Sequence, residues 1–238
     1  MEKRELAKDV KQKQYFKSDS VSSNEYGEGT REMVPLYPFL ISGGTNTERY
    51  YFTHINNITN YKFIIKPEYF GDESNYTEVF PQRITEILNN NTDARIFCVF
   101  DWDTIYGDDV KIKKHETFVK KFQTEILKGI VTICKSMPNI EYWFLLHFEN
   151  YTGFLKNYPA VSRLLASYIK PCFPNNNHSL KKLLKKTEYL EDSTWVKNLC
   201  ADGKLDNAIK QAEFNIKTCE ANGDLDKHSY SYVYKVFK

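Results

Sequence analysis

The strongest constraint in this chain is the run Ile96-Phe97-Cys98-Val99-Phe100, apolar at every position after Arg95 and broken at once by Asp101-Trp102-Asp103. Successive residues of a strand face opposite sides of a sheet, so a run apolar at both parities is buried on both faces. Such a strand needs helices packed above and below it, the layering of a mostly parallel α/β sheet. The same run says where chemistry can sit. Its carboxyl end carries two carboxylates one residue apart, and open α/β sheets collect ligands at the carboxyl ends of their strands.

The flanking sequence supplies the other layers. Tyr37-Pro38-Phe39-Leu40-Ile41-Ser42 reads as a short first strand running into the turn residues Gly43-Gly44. A helix with Glu48, Tyr51, Phe52 and Ile55 at helical spacing follows, with Thr45 or Thr47 as its cap. Tyr61 to Lys66 reads as a second strand, and Thr77 to Leu88 as a helix interrupted early by Pro81. After a polar loop the pattern gives a helix over Glu116 to Leu127, a fourth strand over Gly129 to Cys134, and an apolar, aromatic helix over Ile140 to Phe148. The expected fold is α/β, with about four mostly parallel strands and helices on both faces. From Tyr151 onward the chain reads as mainly helical, most clearly over Ser162 to Ile169, Ser179 to Lys186 and Leu205 to Glu220, with Asn175-Asn176-Asn177 a loop. Residues 1–33 are polar, charged and Ser-rich, with too little apolar surface for a core, and are expected to form a flexible tail. The expected organisation is a tail at 1–33, an α/β core at 34–150 and a helical extension at 151–238 packed on that core.

Composition removes some functions and leaves others open. At 238 residues the chain can hold one sizeable core, or one core with a small subdomain. Its 33 Lys and Arg against 31 Asp and Glu leave a formal charge of +2, too small to indicate a nucleic-acid partner by itself. The five cysteines are scattered, with no C-x-x-C pair, which argues against a zinc site and against a disulfide framework. No apolar run reaches membrane-spanning length and no signal-peptide core opens the chain, so the expectation is a cytoplasmic protein with no membrane partner.

Asp101 and Asp103 are the strongest chemical signal. Two carboxylates so close together, just past a buried strand, can converge on one hard cation whose shell water completes. A polar strand-end turn would also account for them. A D-x-D pair after an apolar strand occurs as well in phosphatases that form an aspartyl-phosphate, but there it follows the first strand, whereas here it follows the third. The turn Ser42-Gly43-Gly44-Thr45 lacks the G-x-x-x-x-G-K pattern of a nucleotide-binding loop and reads as a tight strand-to-helix turn. Glu48, in the first turn of the next helix, is either a dipole partner or a capping acid. Glu141 and His147 fall in the apolar segment Glu141-Tyr142-Trp143-Phe144-Leu145-Leu146-His147-Phe148-Glu149, where a charged group needs a partner or a ligand. The two are six residues apart and need not share a helix face. By itself His147 reads as a satisfied, partly buried histidine. The pairs Lys181-Lys182 and Lys185-Lys186 read as a solvated helix face.

Taken in order, these segments resemble the RloB-like family, which is described as having the Toprim fold. The family's first strand and helix read as an apolar run, then E-G-x-x-T-E and an aromatic pair, and here that stretch is Leu40-Ile41-Ser42-Gly43-Gly44-Thr45-Asn46-Thr47-Glu48-Arg49-Tyr50-Tyr51-Phe52. The family's D-x-D resembles Asp101-Trp102-Asp103. Its S-N-P-x-F-E-x-W-L-L-L-H-F element resembles Ser136-Met137-Pro138-Asn139-Ile140-Glu141-Tyr142-Trp143-Phe144-Leu145-Leu146-His147-Phe148. The segments Asn207-Ala208-Ile209-Lys210-Gln211-Ala212 and His228-Ser229-Tyr230-Ser231-Tyr232-Val233-Tyr234 resemble its closing helix and tail. One position departs: where Toprim enzymes carry an acid after the first strand, this chain has Gly43.

The resemblance implies a Toprim-type nuclease effector of a bacterial anti-phage, abortive-infection system. It would cleave RNA, tRNA among the candidates, or DNA once activated by an AAA-type ATPase partner, and a homo-oligomer is compatible with it. Asp101, Asp103 and Glu48 would hold Mg²⁺ or Mn²⁺, and Glu141 and His147 would complete or orient the catalytic site. The departure at Gly43 leaves a second expectation open, a nuclease-deficient Toprim subunit with a binding or regulatory role.

Overall fold

Ile96–Asp101 runs through the middle of a five-stranded sheet, as its two-sided apolar pattern demands. The computed structural model describes residues 37–44, 46–66, 76–91, 93–174 and 177–238. The expected tail at 1–33, the loop residues Asn175 and Asn176, and Thr45 lie outside the described residues. In chain order the strands are β1 (Phe39–Ser42), β2 (Ile64–Lys66), β3 (Ile96–Asp101), β4 (Val131–Met137) and β5 (Tyr230–Ser231). Their order across the sheet is β2-β1-β3-β4-β5. β1 pairs in parallel with both β2 and β3, β3 pairs in parallel with β4, and β5 is antiparallel to β4.

The helices are α1 (Thr47–Ile58), α2 (Tyr76–Asn90), α3 (Asp109–Lys121), α4 (Gln123–Leu127), α5 (Ile140–Leu145), α6 (Tyr158–Ile169), α7 (Leu180–Leu183), α8 (Thr187–Leu190), α9 (Thr194–Cys200) and α10 (Lys204–Asn222). The parity of β3 divides the core in two. Phe97 and Val99 join Leu40, the aromatic face of α1, all of the apolar α5 and the C-terminal helices in the larger cluster. Ile96, Cys98 and Phe100 join Phe39, Ile41, Phe80 and Ile84 of α2, and Phe118 of α3 on the other face. Both layers are apolar because both are needed to keep β3 dry.

Several boundaries moved for identifiable reasons. α2 runs through Pro81, since the neighbouring turns and the burial of Phe80 and Ile84 outweigh one missing backbone donor. The helix expected from Glu116 starts at Asp109 instead, because the Asp108 side chain accepts from the Val110 and Lys111 amides and caps it there. It then breaks at Phe122, leaving α4 as a separate turn. Asn46 takes the N-cap position of α1 without a side-chain cap hydrogen bond, and Thr47, one of the two expected caps, is the first helical residue.

The largest departure is the fifth strand. β4 continues past Cys134 to Met137, where Ser136 stands opposite Ser231 and Met137 opposite Tyr230. Ser136 and Ser231 are both buried, and their hydroxyls lie 2.8 Å apart and satisfy each other. Residues 36–238 form one compact unit, so the helical C-terminal region closes the sheet as well as covering it. Among the described residues no helix is long and apolar enough to cross a membrane.

Candidate active site

The carboxyl ends of β1 and β3 open on the same rim. There the turn after β1 delivers Glu48, β3 ends in Asp101, and the loop beyond it carries Asp103. The loop is held against the end of β4 by Trp102 N–H donating to the Ser136 carbonyl (2.8 Å) and Asp103 N–H donating to the Pro138 carbonyl (2.9 Å). Asp101 Oδ1 accepts from the Ile140 amide at 2.8 Å, which seats α5 on the strand end and brings the next residue, Glu141, to the same rim. Glu48 and Glu141 are almost completely buried, at 3% and 1% exposure, while Asp101 and Asp103 are half-buried.

Charge behaves as expected for acids crowded together. Burial first, then the nearby charges of Glu48, Glu141 and Asp103, raises the Asp101 carboxyl well above the usual aspartate range, against the Ile140 hydrogen bond. Asp103 is pushed up to about 6, mainly by burial, with Lys185 and the Thr104 amide pulling the other way. Glu141 is pushed up to about 7 by burial and by Glu48, opposed by Lys185. The four acids Glu48, Asp101, Asp103 and Glu141 are thus one electrostatic unit drawn from separate segments of the chain.

Lys185 is part of that unit. Its Nζ lies 3.9 Å from Glu141 Oε1, and half of its side chain is exposed. Burial works against its charge, but Glu141, Glu48 and Asp101 hold its pKa above the ordinary lysine value. The segment is anchored beside the first strand by Asn46 Nδ2 donating to the Lys185 carbonyl at 3.1 Å and by the Thr47 hydroxyl donating to the Leu184 carbonyl. Lys185 is exposed, as expected of a solvated face, but it lies between α7 and α8 and not on a helix, and its ammonium also borders the acids. No local pattern marks it. Tyr158 of α6 also borders the cluster, its phenol raised by burial and by Glu141.

The glycines of the first turn have different parts. A Cβ on Gly44 would meet the Glu48 carboxylate at 1.9 Å, so the bare Gly44 backbone is what lets Glu48 fold back to the rim. A Cβ on Gly43 would lie 2.9 Å from Phe100 Cβ, in the core on the opposite face. Any side chain at this position would press on Phe100 and force it to shift.

His147 does not join the acids. Its Nδ1 lies 3.0 Å from the Trp143 carbonyl and its Nε2 3.4 Å from the Tyr51 hydroxyl, among the rings of Tyr51 and Trp143. Burial pushes its pKa down to about 3, so it is a neutral core histidine.

The acids present only hard oxygen donors, the set that suits Mg²⁺ or Mn²⁺. Glu141 Oε1 is buried without a hydrogen-bond partner, a position that a cation would satisfy. The acids are not drawn to full coordination spacing: among the described residues, the set whose three ligand atoms lie within 4.8 Å of one another is Cys219, Asp224 and His228, elsewhere on the molecule.

The family described as RloB-like protein matches residues 39–238, from β1 to the last residue. No curated protein and no solved structure matches the chain. The matched span contains α1 with Glu48, the D-x-D loop after β3 and α5 with Glu141, the elements that assemble the acidic rim, and the chain belongs to the RloB-like family.

Proposed function

We propose that this protein is a metal-dependent nuclease, the effector of a bacterial anti-phage system of the abortive-infection kind. The observation that carries this reading is the convergence of Glu48, Asp101, Asp103 and Glu141 on the carboxyl rim of the sheet, with Glu141 Oε1 buried, without a hydrogen-bond partner and 3.9 Å from the Lys185 ammonium. Acids that repel one another in a half-dry site are costly without a cation to share. When held by Asp101, Asp103 and Glu48, Mg²⁺ or Mn²⁺ would supply a Lewis acid for a phosphate oxygen and lower the pKa of an attacking water. Asp101 is oriented by the Ile140 amide. Glu141, titrating near neutrality at about 7, is suited to take a proton from water or return one to the leaving oxygen. Lys185, half exposed at the edge of the rim, is placed to meet a phosphate oxygen. An AAA-type ATPase partner and a cytoplasmic location belong to the same proposal and rest on the family resemblance.

The test is incubation of the purified protein with tRNA and with plasmid DNA, in Mg²⁺ or Mn²⁺, with and without the proposed AAA-type ATPase partner. The expected result is metal-dependent cleavage that falls at least about 100-fold in Asp101→Asn and Asp103→Asn. Cleavage that persists in both variants would overturn the assignment.

A second reading is a nuclease-deficient Toprim subunit that binds its partner without cutting. It is favoured by Gly43, whose Cβ position is blocked by Phe100. The same experiment separates the two: a complex that assembles with the ATPase, binds Mg²⁺ and cuts neither substrate supports the second.

A further inference from the structure

A second group of ligand atoms lies at the carboxyl end of α10, and nothing in the acidic rim accounts for it. Cys219 occupies the last turn of that helix, and Gly223, left-handed at φ +69°, reverses the chain. Asp224 follows at once, and a short 3-10 turn over Leu225–Lys227 returns His228 to face it. The Cys219 sulfur, an Asp224 carboxylate oxygen and a His228 ring nitrogen all lie within 4.8 Å of one another.

Each side chain is prepared in a different way. His228 Nδ1 is 2.6 Å from the Thr152 carbonyl, so Nδ1 carries a proton and donates it. The ring is thereby fixed with Nε2 toward Asp224 Oδ2, at 3.4 Å. Nε2 then either holds a second proton or offers its lone pair to an ion. A backbone carbonyl fixing the far nitrogen is the usual outer support of a metal-binding histidine. Asp224 Oδ1 is buried with no hydrogen-bond partner. Cys219 is a free thiol at 8% exposure. A histidine–aspartate ion pair explains Oδ2 alone; it leaves Oδ1 unsatisfied and the sulfur without a role. A cation at the centre of the three satisfies all of them.

We propose that Cys219, Asp224 and His228 bind one Zn²⁺, with the fourth position left to water. Thiolate, imidazole and carboxylate together favour zinc over the hard ions suited to the acidic rim. Tetrahedral zinc with bonds of about 2.0–2.3 Å needs its ligand atoms about 3.3–3.8 Å apart, so small side-chain rotations close the site. A cleft of about 510 Å³, lined by Cys219, Trp102, Lys135 and Tyr230, gives an approach from solvent. The ion would staple the end of α10 to the loop after α5, through Thr152 and through Ser229 N–H, which donates to the Gly153 carbonyl at 3.1 Å. The proposal does not depend on nuclease activity.

The test uses the full chain, stripped of metal by a chelator and titrated with Co²⁺. One equivalent should produce a thiolate-to-cobalt charge-transfer band together with the visible absorption of tetrahedral cobalt, and Zn²⁺ should displace both. The band should vanish in Cys219→Ser and survive in Asp101→Asn. On the wild-type protein, Zn²⁺ should slow alkylation of Cys219 at least about tenfold, read by peptide mass mapping. A titration without the band, a band that persists in Cys219→Ser, or alkylation of Cys219 at the same rate with and without Zn²⁺ would overturn the site. The alkylation measurement decides the matter if Cys219→Ser does not fold.

Discussion

Among single residues, two adjacent glycines carry opposite demands. Gly44 leaves the space that the Glu48 carboxylate fills, whereas Gly43 is closed in by Phe100 Cβ at 2.9 Å. Gly44→Ala must move only the far end of a flexible side chain, so its stability should change little while Mg²⁺ affinity drops as Glu48 is displaced. Calorimetric titration with Mg²⁺ beside a melting curve reads both. Gly43→Ala pushes against the core and should cost about 1–3 kcal/mol in urea unfolding. Gly43→Glu cannot reach the rim from this backbone without moving Phe100, so restoring an acid there should destabilise the protein and add no activity. Asp101 and Asp103 were legible as candidate ligands from chain position alone, because a strand end followed by acids is a local pattern, whereas Glu48 read as a dipole partner or capping acid and became a candidate ligand only through the family resemblance. Lys185 was not, because the contacts that hold its backbone beside the acids come from residues more than a hundred positions away, Asn46 and Thr47.

At the level of elements, the C-terminal segment is the clearest case of a part whose role depends on the whole. Phe237 stacks on Trp143 of α5 with centroids 5.6 Å apart and meets Tyr61 at 5.0 Å and Phe52 at 6.3 Å. Trp143 donates to the Tyr51 hydroxyl at 2.9 Å, tying α5 to α1. Phe237→Ala should therefore cost about 3–5 kcal/mol, measured as a shift of the urea midpoint at unchanged slope. A shift below about 1 kcal/mol would show that the tail is an accessory to the core. β3 could be placed from its apolar run and α5 from its aromatic content. β5 could not: Tyr230-Ser231 is too short and too polar to announce a strand, and it exists because Ser136 and Met137 present an unpaired edge.

For the molecule as a whole, the acidic rim links stability to pH and, under the proposed function, to metal. Asp103 and Glu141 have folded-state pKa values raised to about 6 and about 7 from ordinary values near 3.8 and 4.5. A raised pKa means the folded state binds protons more tightly than the unfolded one. The resulting contribution is complete below the ordinary values and is lost as pH rises through the folded ones. Without metal, the rim's contribution to Tm should therefore fall between about pH 5 and about pH 8, and added Mg²⁺ should restore more Tm at the upper end than at the lower. Asp101→Asn should raise the metal-free Tm near neutral pH and remove the Mg²⁺ response. A Tm independent of Mg²⁺ at every pH would count against a shared ion at the rim.

What the amino-acid order settled by itself was the layered α/β plan and the place of the D-x-D pair, since hydrophobic period and strand-end position are properties of consecutive residues. The tertiary structure alone decided which distant groups meet. It set Glu141 and Lys185 beside the aspartates, sent His147 into the core, and gathered Cys219, Asp224 and His228, a set that no cysteine spacing announces. The physical reason is the range of the forces involved: burial pattern is written locally along the chain, while charge and coordination act through space between segments that only packing brings together.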